Sequence, residues 1–161
     1  MHQESREPRL LVPIIIADVY ELAGQLRERG EAIAATVGQT QARWQVLSAA
    51  SAATPHSVPQ IARVLGVTRQ NVQRIADLLV AEGLAQYQDN ADHRVSPHLV
   101  LTAHGRAALA RLSKAAAGYH AGIARQLSPE AVLSIHRRLR RLLDIIAEID
   151  PLNPSDQETH S

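Results

Sequence analysis

Ser57-Val58-Pro59-Gln60-Ile61-Ala62-Arg63-Val64-Leu65-Gly66-Val67-Thr68-Arg69-Gln70-Asn71-Val72-Gln73-Arg74-Ile75-Ala76-Asp77-Leu78-Leu79-Val80-Ala81-Glu82-Gly83-Leu84 is the stretch on which the reading of this chain turns. Two helical patterns flank a glycine turn. The first opens with Ser57, a residue type that caps helix N-termini, and is expected to bury Ile61, Val64 and Leu65. The second opens with Thr68 as N-cap, runs for about four turns, and stops at Gly83, a favoured residue just past a helix C-terminus. Val72, Ile75, Ala76 and Leu79 fall at i, i+3, i+4 and i+7 of that helix, a single apolar face. Gln70, Gln73, Arg74 and Asp77 take the opposite face, with Arg69 and Asn71 near its start. The pattern is a helix-turn-helix whose second helix carries amides and arginines.

Those side chains suit the edges of DNA bases. Gln and Asn can bond adenine bidentately, and Arg does the same for guanine. Set in the first turns of a short exposed helix, they suit one that enters the major groove by its N-terminal end. Any exposed helix face is polar, so the amides alone decide nothing. The preceding helix, the Gly66 turn and the capped start carry the reading.

Behind Gly83 the apolar period changes from 3.6 to 2. Residues 84–88 read as a strand, and Asp89 to Arg94 as a turn rich in Asp and Asn. Residues 98–101 read as the return strand, with Pro97 at its entrance. A hairpin directly behind a helix-turn-helix makes the unit winged. Its tip holds Arg94, a side chain that fits the narrow, negative minor groove. Asp92, two residues earlier, is placed to pair with it.

Further out the chain reads as helical. Residues 13–37 repeat apolar positions at helical spacing, weakened by Gly24 and Gly30. The run Leu10 to Ile16 is apolar nearly all round, so the expected cover is a partner subunit. Thr40 caps a helix over 41–52 that is expected to bury Trp44 and Leu47. Thr102 caps a long helix over 103–126 with Leu109, Leu112, Ala116, Tyr119 and Ile123 on its stripe. Ser128-Pro129-Glu130 starts a last helix running to about Ile149. The division expected is a flexible N-terminus (1–9), an N-terminal dimerisation helix (10–38), a winged helix-turn-helix (40–102), C-terminal dimerisation helices (103–149) and a flexible tail (150–161). The fold class is mainly α (α+β), with a small β-hairpin wing.

Composition narrows the function classes. The 161 residues are 45% apolar, with one Trp, three Tyr and no Phe, so the core is built from Leu, Ile, Val and Ala. No Cys is present, which excludes disulfides, zinc-thiolate sites and thiol sensing. A net charge of +1 is no bulk electrostatic signal for nucleic acid; binding must rest on placed arginines and helix N-termini. The eight histidines are dispersed, with no His-x-x-x-His pair and no carboxylate cluster beside them. No phosphate loop or nucleophile motif is visible, so neither an enzyme nor a metal or other cofactor is expected. No secretory signal or membrane-length run appears, and a cytoplasmic location is expected. A winged helix that binds protein instead of DNA is the alternative; its mark would be apolar residues on the outer face of the second helix, and here that face is polar.

Several strings resemble the MarR-type (multiple antibiotic resistance regulator) transcription factors. Arg43-Trp44-Gln45-Val46-Leu47 is similar to the family's second-helix opening. Ile61-Ala62, Leu65 to Gln70 with Val72, and Leu79 with Glu82-Gly83-Leu84 resemble its helix-turn-helix. Asp92-His93-Arg94, then Leu99 to Gly105, resembles its wing and the Leu-Thr-x-x-Gly start of the next helix. His93 stands where a second wing arginine is frequent. The resemblance implies a homodimeric regulator of double-stranded DNA, often a repressor, on a pseudo-palindromic operator. It implies DNA contacts from Ser57, Thr68, Arg69, Gln70, Asn71, Gln73 and Arg74, and from His93 and Arg94 on the wing. It also implies a small aromatic or phenolic effector, for which Tyr20, Trp44 and His104 are the candidate contacts. The plainer reading of Tyr20 and Trp44 is ordinary core.

Overall fold

Period 3.6 dominates the sequence and period 2 interrupts it, and the elements follow that order. The computed structural model describes residues 7–90 and 96–149. Among them, in chain order, are α1 (Glu7–Ala35), α2 (Gln41–Ala50), β1 (His56–Ser57), α3 (Val58–Leu65), α4 (Arg69–Ala81), β2 (Ala85–Gln88), β3 (His98–Leu101), α5 (Ala103–Ala124) and α6 (Pro129–Glu148). This is the mainly helical winged helix-turn-helix expected. Both terminal segments, 1–6 and 150–161, and the wing tip with His93 and Arg94 lie outside the described residues. Among the described residues, no helix is long and apolar enough to cross a membrane. The chain divides into two units, one ending at Ala117 and one beginning at Gly118.

The first unit is packed around α4. Val72, Ile75, Ala76 and Leu79 are all buried, as the stripe requires. They join Val46, Leu47 and Ala50 of α2, Val58, Ile61 and Ala62 of α3, and Leu99 and Leu101 of β3 in one core. Val64 departs from expectation: it is 67% exposed. An eight-residue helix turns only two rows inward, and Val58 with Ile61 and Ala62 fill them. Trp44 is half-buried against the core rather than enclosed. Gly66 (φ +64°) and Gly83 (φ +70°) take the left-handed conformation that ends helices. At both ends the two paired carbonyl bonds of a Schellman motif form, Val67 N–H to Ala62 O and Leu84 N–H to Leu79 O being the longer-range members.

The sheet has one more strand than the periodicity shows. β3 pairs antiparallel with β2, and also with β1, giving the order β1-β3-β2. β1 is two residues long, too short for alternation to register. Behind the sheet, Thr102 makes the junction to α5. Its hydroxyl donates to the Gly83 carbonyl at 2.6 Å and accepts the Gly105 N–H at 3.1 Å. The same hydroxyl thus caps α5 and ties its start to the end of α4. Gly105 is buried there, and a Cβ on it would overlap the Leu84 carbonyl oxygen and sit 2.9 Å from the carbonyl carbon. The Leu-Thr-x-x-Gly string is therefore a packing requirement.

α1 begins six residues ahead of Pro13, where the sequence pattern had it start, and takes Pro13 inside. Its inward anchor is at the other end: Ala34 is buried and Val37, just past the helix, packs on the core. Glu31 accepts the Gln41 N–H at 2.7 Å, placing an α1 carboxylate at the positive end of α2. Leu10 through Ile16, Val19, Leu22 and Leu26 are exposed, so the first unit does not bury the apolar stripe of α1.

The second unit holds the end of α5 and the whole of α6. Ser128 caps α6 by accepting the Ala131 N–H at 3.2 Å. None of the α6 residues is buried, and Val132, Leu133, Ile135, Leu139, Leu143 and Ile146 are exposed. His120, Ile123, Leu127, Val132 and Ile135 line an apolar hollow of about 250 Å³.

The two helical glycines of contrasting surroundings give a paired test. Gly105→Ala forces backbone apart and should destabilise the chain by ~1–3 kcal/mol or more. Gly24→Ala meets nothing within 4 Å and should stabilise it by ~0.5–1 kcal/mol. Urea unfolding midpoints of the two variants should move in opposite directions.

Candidate nucleic-acid interface

The outward face of α4 follows from its buried one. At about 100° per residue, Gln70 and Arg74 lie opposite Val72, with Asn71 and Gln73 on the two flanks. Thr68 starts the helix, its hydroxyl accepting the Asn71 N–H at 3.3 Å. Thr68, Arg69, Gln70 and Arg74 are exposed, and Asn71 and Gln73 half-buried. On one flank Arg74 Nη2 donates to Asn71 Oδ1 at 3.3 Å, which holds the guanidinium along the helix. Ser57 is buried, and its N–H and hydroxyl both donate to Gln60 Oε1, at 2.7 and 2.9 Å. Ser57 therefore starts α3 rather than facing solvent.

The other flank is tied to the wing. Gln73 Nε2 donates to Asp77 Oδ1 at 2.8 Å and to the Tyr87 hydroxyl at 2.7 Å. Tyr87 in turn donates to Asp77 Oδ1 at 2.7 Å. Burial, then the hydrogen bond to the Asp77 carboxylate, push the Tyr87 phenol up to about 12, so it stays a donor. Beside this ring of bonds is a cavity of about 210 Å³, lined by Arg69, Gln73 and Tyr87 and by Val58, Pro59 and Pro97. Pro97 thus lines a hollow shared with the start of α4 and with β2.

A third tie fixes the far end of α4. Glu82 sits at the negative end of the helix, an unfavourable place for a carboxylate. Arg43 of α2 answers it with a two-pronged ion pair, Nη1 to Oε1 at 2.9 Å and Nη2 to Oε2. The Arg43 hydrogen bond holds the Glu82 carboxyl below its usual 4.5. Sequence reading missed this pair because 39 positions separate its members. It also missed the Gln73–Tyr87 bond, although Gln73 and Asp77 stand four apart on a helix, a spacing at which such pairs form.

Of the ligand candidates, Tyr20 is 76% exposed on α1, so it is not core within the chain. His104 is exposed in the first turn of α5, and Trp44 packs on the core through α2. No hydrogen bond or ring contact among the described residues joins the three.

A three-stranded sheet behind two short helices, a capped second helix with a polar outer face, and a base of buried apolar contacts define a winged helix-turn-helix protein. Comparison with known proteins agrees. The model of the MarR family matches residues 37–94. The uncharacterised protein Rv2011c of Mycobacterium tuberculosis is 49% identical over 129 residues, 80% of this chain and 90% of that one. A MarR/EmrR family transcriptional regulator from Acinetobacter sp. ADP1 superposes with a TM-score of 0.74 at 18% identity, covering 86% of this chain and 99% of that one. A mutant E. coli MarR complexed with operator DNA gives 0.65 at 19% identity, over 83% and 96% of the two chains. The Mycobacterium tuberculosis MarR family protein Rv2887, in complex with p-aminosalicylic acid, gives 0.61 at 23%, over 77% and 94%. The chain belongs to the MarR family and has the fold of its winged-helix transcription regulators.

The Glu82 carboxyl, depressed in the folded state, contributes stability that is present above pH 4.5 and lost as pH falls through its lowered value. The side chain is 46% exposed, so Glu82→Gln should cost only ~0–1 kcal/mol near neutrality. Urea midpoints of variant and parent should differ at neutral pH and converge in acid.

Proposed function

We propose that this chain is a sequence-specific, double-stranded-DNA-binding transcriptional repressor. It acts as a homodimer on a pseudo-palindromic operator and is released by a small aromatic or phenolic ligand. The observation that carries the DNA reading is the outer face of α4, where Thr68, Arg69, Gln70 and Arg74 are exposed on a helix whose inner face is wholly buried. Gln70, Asn71, Gln73 and Arg74 read base edges in the major groove; Thr68 and Arg69, at the positive end of the helix, meet phosphate. The wing residues His93 and Arg94 serve the minor groove. The E. coli MarR complex with operator DNA supports this use of the fold.

The homodimer rests on apolar surface the chain leaves open. The N-terminal half of α1 and most of the apolar side of α6 are exposed. Contiguous exposed apolar side chains of this kind mark an association surface. In this reading residues 10–38 and 103–149 form the dimer frame and residues 40–102 the DNA-binding part. Two-fold symmetry then sets two copies of α4 about one DNA turn apart. The effector reading draws on the Rv2887 complex with p-aminosalicylic acid, with Tyr20, Trp44 and His104 as the contacts.

A gel shift on the DNA upstream of the protein's own gene tests the first claim. A specific complex is expected, and Arg74→Ala should weaken it by ~1–3 kcal/mol. An unchanged affinity would remove Arg74 from the contact set. For the dimer, sedimentation should give twice the chain mass. Leu143→Glu combined with Ile146→Glu should yield monomers that no longer hold a palindrome; a dimer surviving both changes would exclude α6 from the interface.

A further inference from the structure

We infer that the wing sets what Gln73 reads: tied to Asp77 and Tyr87, this glutamine faces DNA as a hydrogen-bond acceptor only, and selects a base that presents an amino group in the major groove. The inference rests on the DNA reading above and names the chemistry of one of its contacts.

A glutamine amide has two donors on nitrogen and an acceptor oxygen. Here Nε2 makes two hydrogen bonds, to Asp77 Oδ1 at 2.8 Å and to Tyr87 Oη at 2.7 Å. The orientation of the amide is not arbitrary. Turned over, its oxygen would face a carboxylate oxygen that cannot donate, so Asp77 fixes the nitrogen inward. Tyr87 donates its own hydrogen to the same Oδ1 at 2.7 Å, which leaves its oxygen free to accept from Gln73. The three groups close a ring in which the two amide hydrogens and the phenolic hydrogen can each take one of the three bonds. Among the described residues no hydrogen bond engages Gln73 Oε1.

The ring joins two elements. Gln73 and Asp77 are one turn apart on α4, and Tyr87 comes from β2, held in register by pairing with Leu99 of β3. Only Tyr87 comes from the wing. Ala85, two residues before it, is buried, and Tyr87 is 37% exposed. The wing therefore positions a side chain of the reading helix, in addition to any contact its tip makes.

The consequence for recognition is specific. A free glutamine bonds adenine bidentately, accepting from N6 and donating to N7. A glutamine with both donors engaged can only accept. In the major groove the groups that offer it a hydrogen are adenine N6 and cytosine N4; guanine and thymine present only acceptors at the matching edge. Gln73 thus accepts adenine or cytosine on the contacted strand and rejects guanine and thymine, without telling the first two apart. Tyr87 and Asp77 are positioning residues for that choice.

Selection from random double-stranded DNA by the full-length protein tests this, read as base frequencies in each half-site. The wild type should show one position that admits adenine and cytosine about equally, and Gln73→Ala should erase the preference there. Tyr87→Phe keeps the ring and removes only the hydroxyl. That change, or Tyr87→Phe together with Asp77→Ala, should raise adenine over cytosine at the same position by about two- to tenfold, the value of one added hydrogen bond. Preferences elsewhere in the half-site should stay put. A Gln73-dependent position that already demands adenine in the wild type overturns the inference while leaving DNA binding intact. So does a preference unchanged in both release variants. Failure to select any sequence overturns the DNA reading itself.

Discussion

The complete withdrawal of Val72, Ile75, Ala76 and Leu79 from water is the constraint on which the reading surface depends. Each large side chain so buried contributes about 1.5–3 kcal/mol. Turning α4 by a single residue would lift these groups toward solvent and drive Gln73 or Asn71 inward without partners. Rotation about the helix axis is therefore fixed far more firmly than any hydrogen bond on the surface could fix it. The exposed row of Arg69, Gln70 and Arg74 is the complement of that burial. Position along the axis is set at the ends, by the Thr68 cap at the start and by the Gly83 turn with the Arg43–Glu82 pair at the finish.

Thr102 carries the next level of order. One hydroxyl serves as donor to the last turn after α4 and as acceptor for the first turn of α5. Gly105 permits the close approach that this double role needs. The start of α5 cannot shift against the end of α4 without breaking these bonds. A short string that looks like a signature is thus explained by two distances and a missing Cβ. Glu31 of α1 adds a similar tie by accepting the Gln41 N–H at the head of α2, beside the packing of Ala34 and Val37 on the core.

What the sequence made legible was what repeats or caps locally. α4 was bounded at Thr68 and Gly83 because cap and turn residues mark ends independently of tertiary packing. Its stripe was legible because four positions share one period, and β3 was read at its observed limits. Val64 was misplaced because an eight-residue helix gives too few turns to define a face. β1 was missed because two residues have no alternation, and the onset of α1 because Pro13 reads as a start while the helix runs through it. At the site, residue types on α4 could be listed in advance, but their states could not. Whether Gln73 is free or engaged depends on Tyr87, fourteen positions away, and on a sheet register that only the fold supplies. Tyr20 reads as core from its type and stands in solvent because the face of α1 it shares is left open by the chain.

In the proposed reading, a chain of net charge +1 binds a polyanion. Net charge supplies little long-range attraction here, so affinity rests on individually placed groups. Contacts to base edges then matter more, and each such contact ordinarily costs about 0.5–1.5 kcal/mol to immobilise a flexible side chain. Gln73 arrives with that cost already met by Asp77 and Tyr87, and Arg74 in part by Asn71. Engaging the amide nitrogen surrenders the bidentate pairing that a free glutamine can make. In return the remaining acceptor is held at one place on the helix. For a weakly charged surface, a narrower contact that needs no ordering is the better exchange, and the wing is the element that makes it.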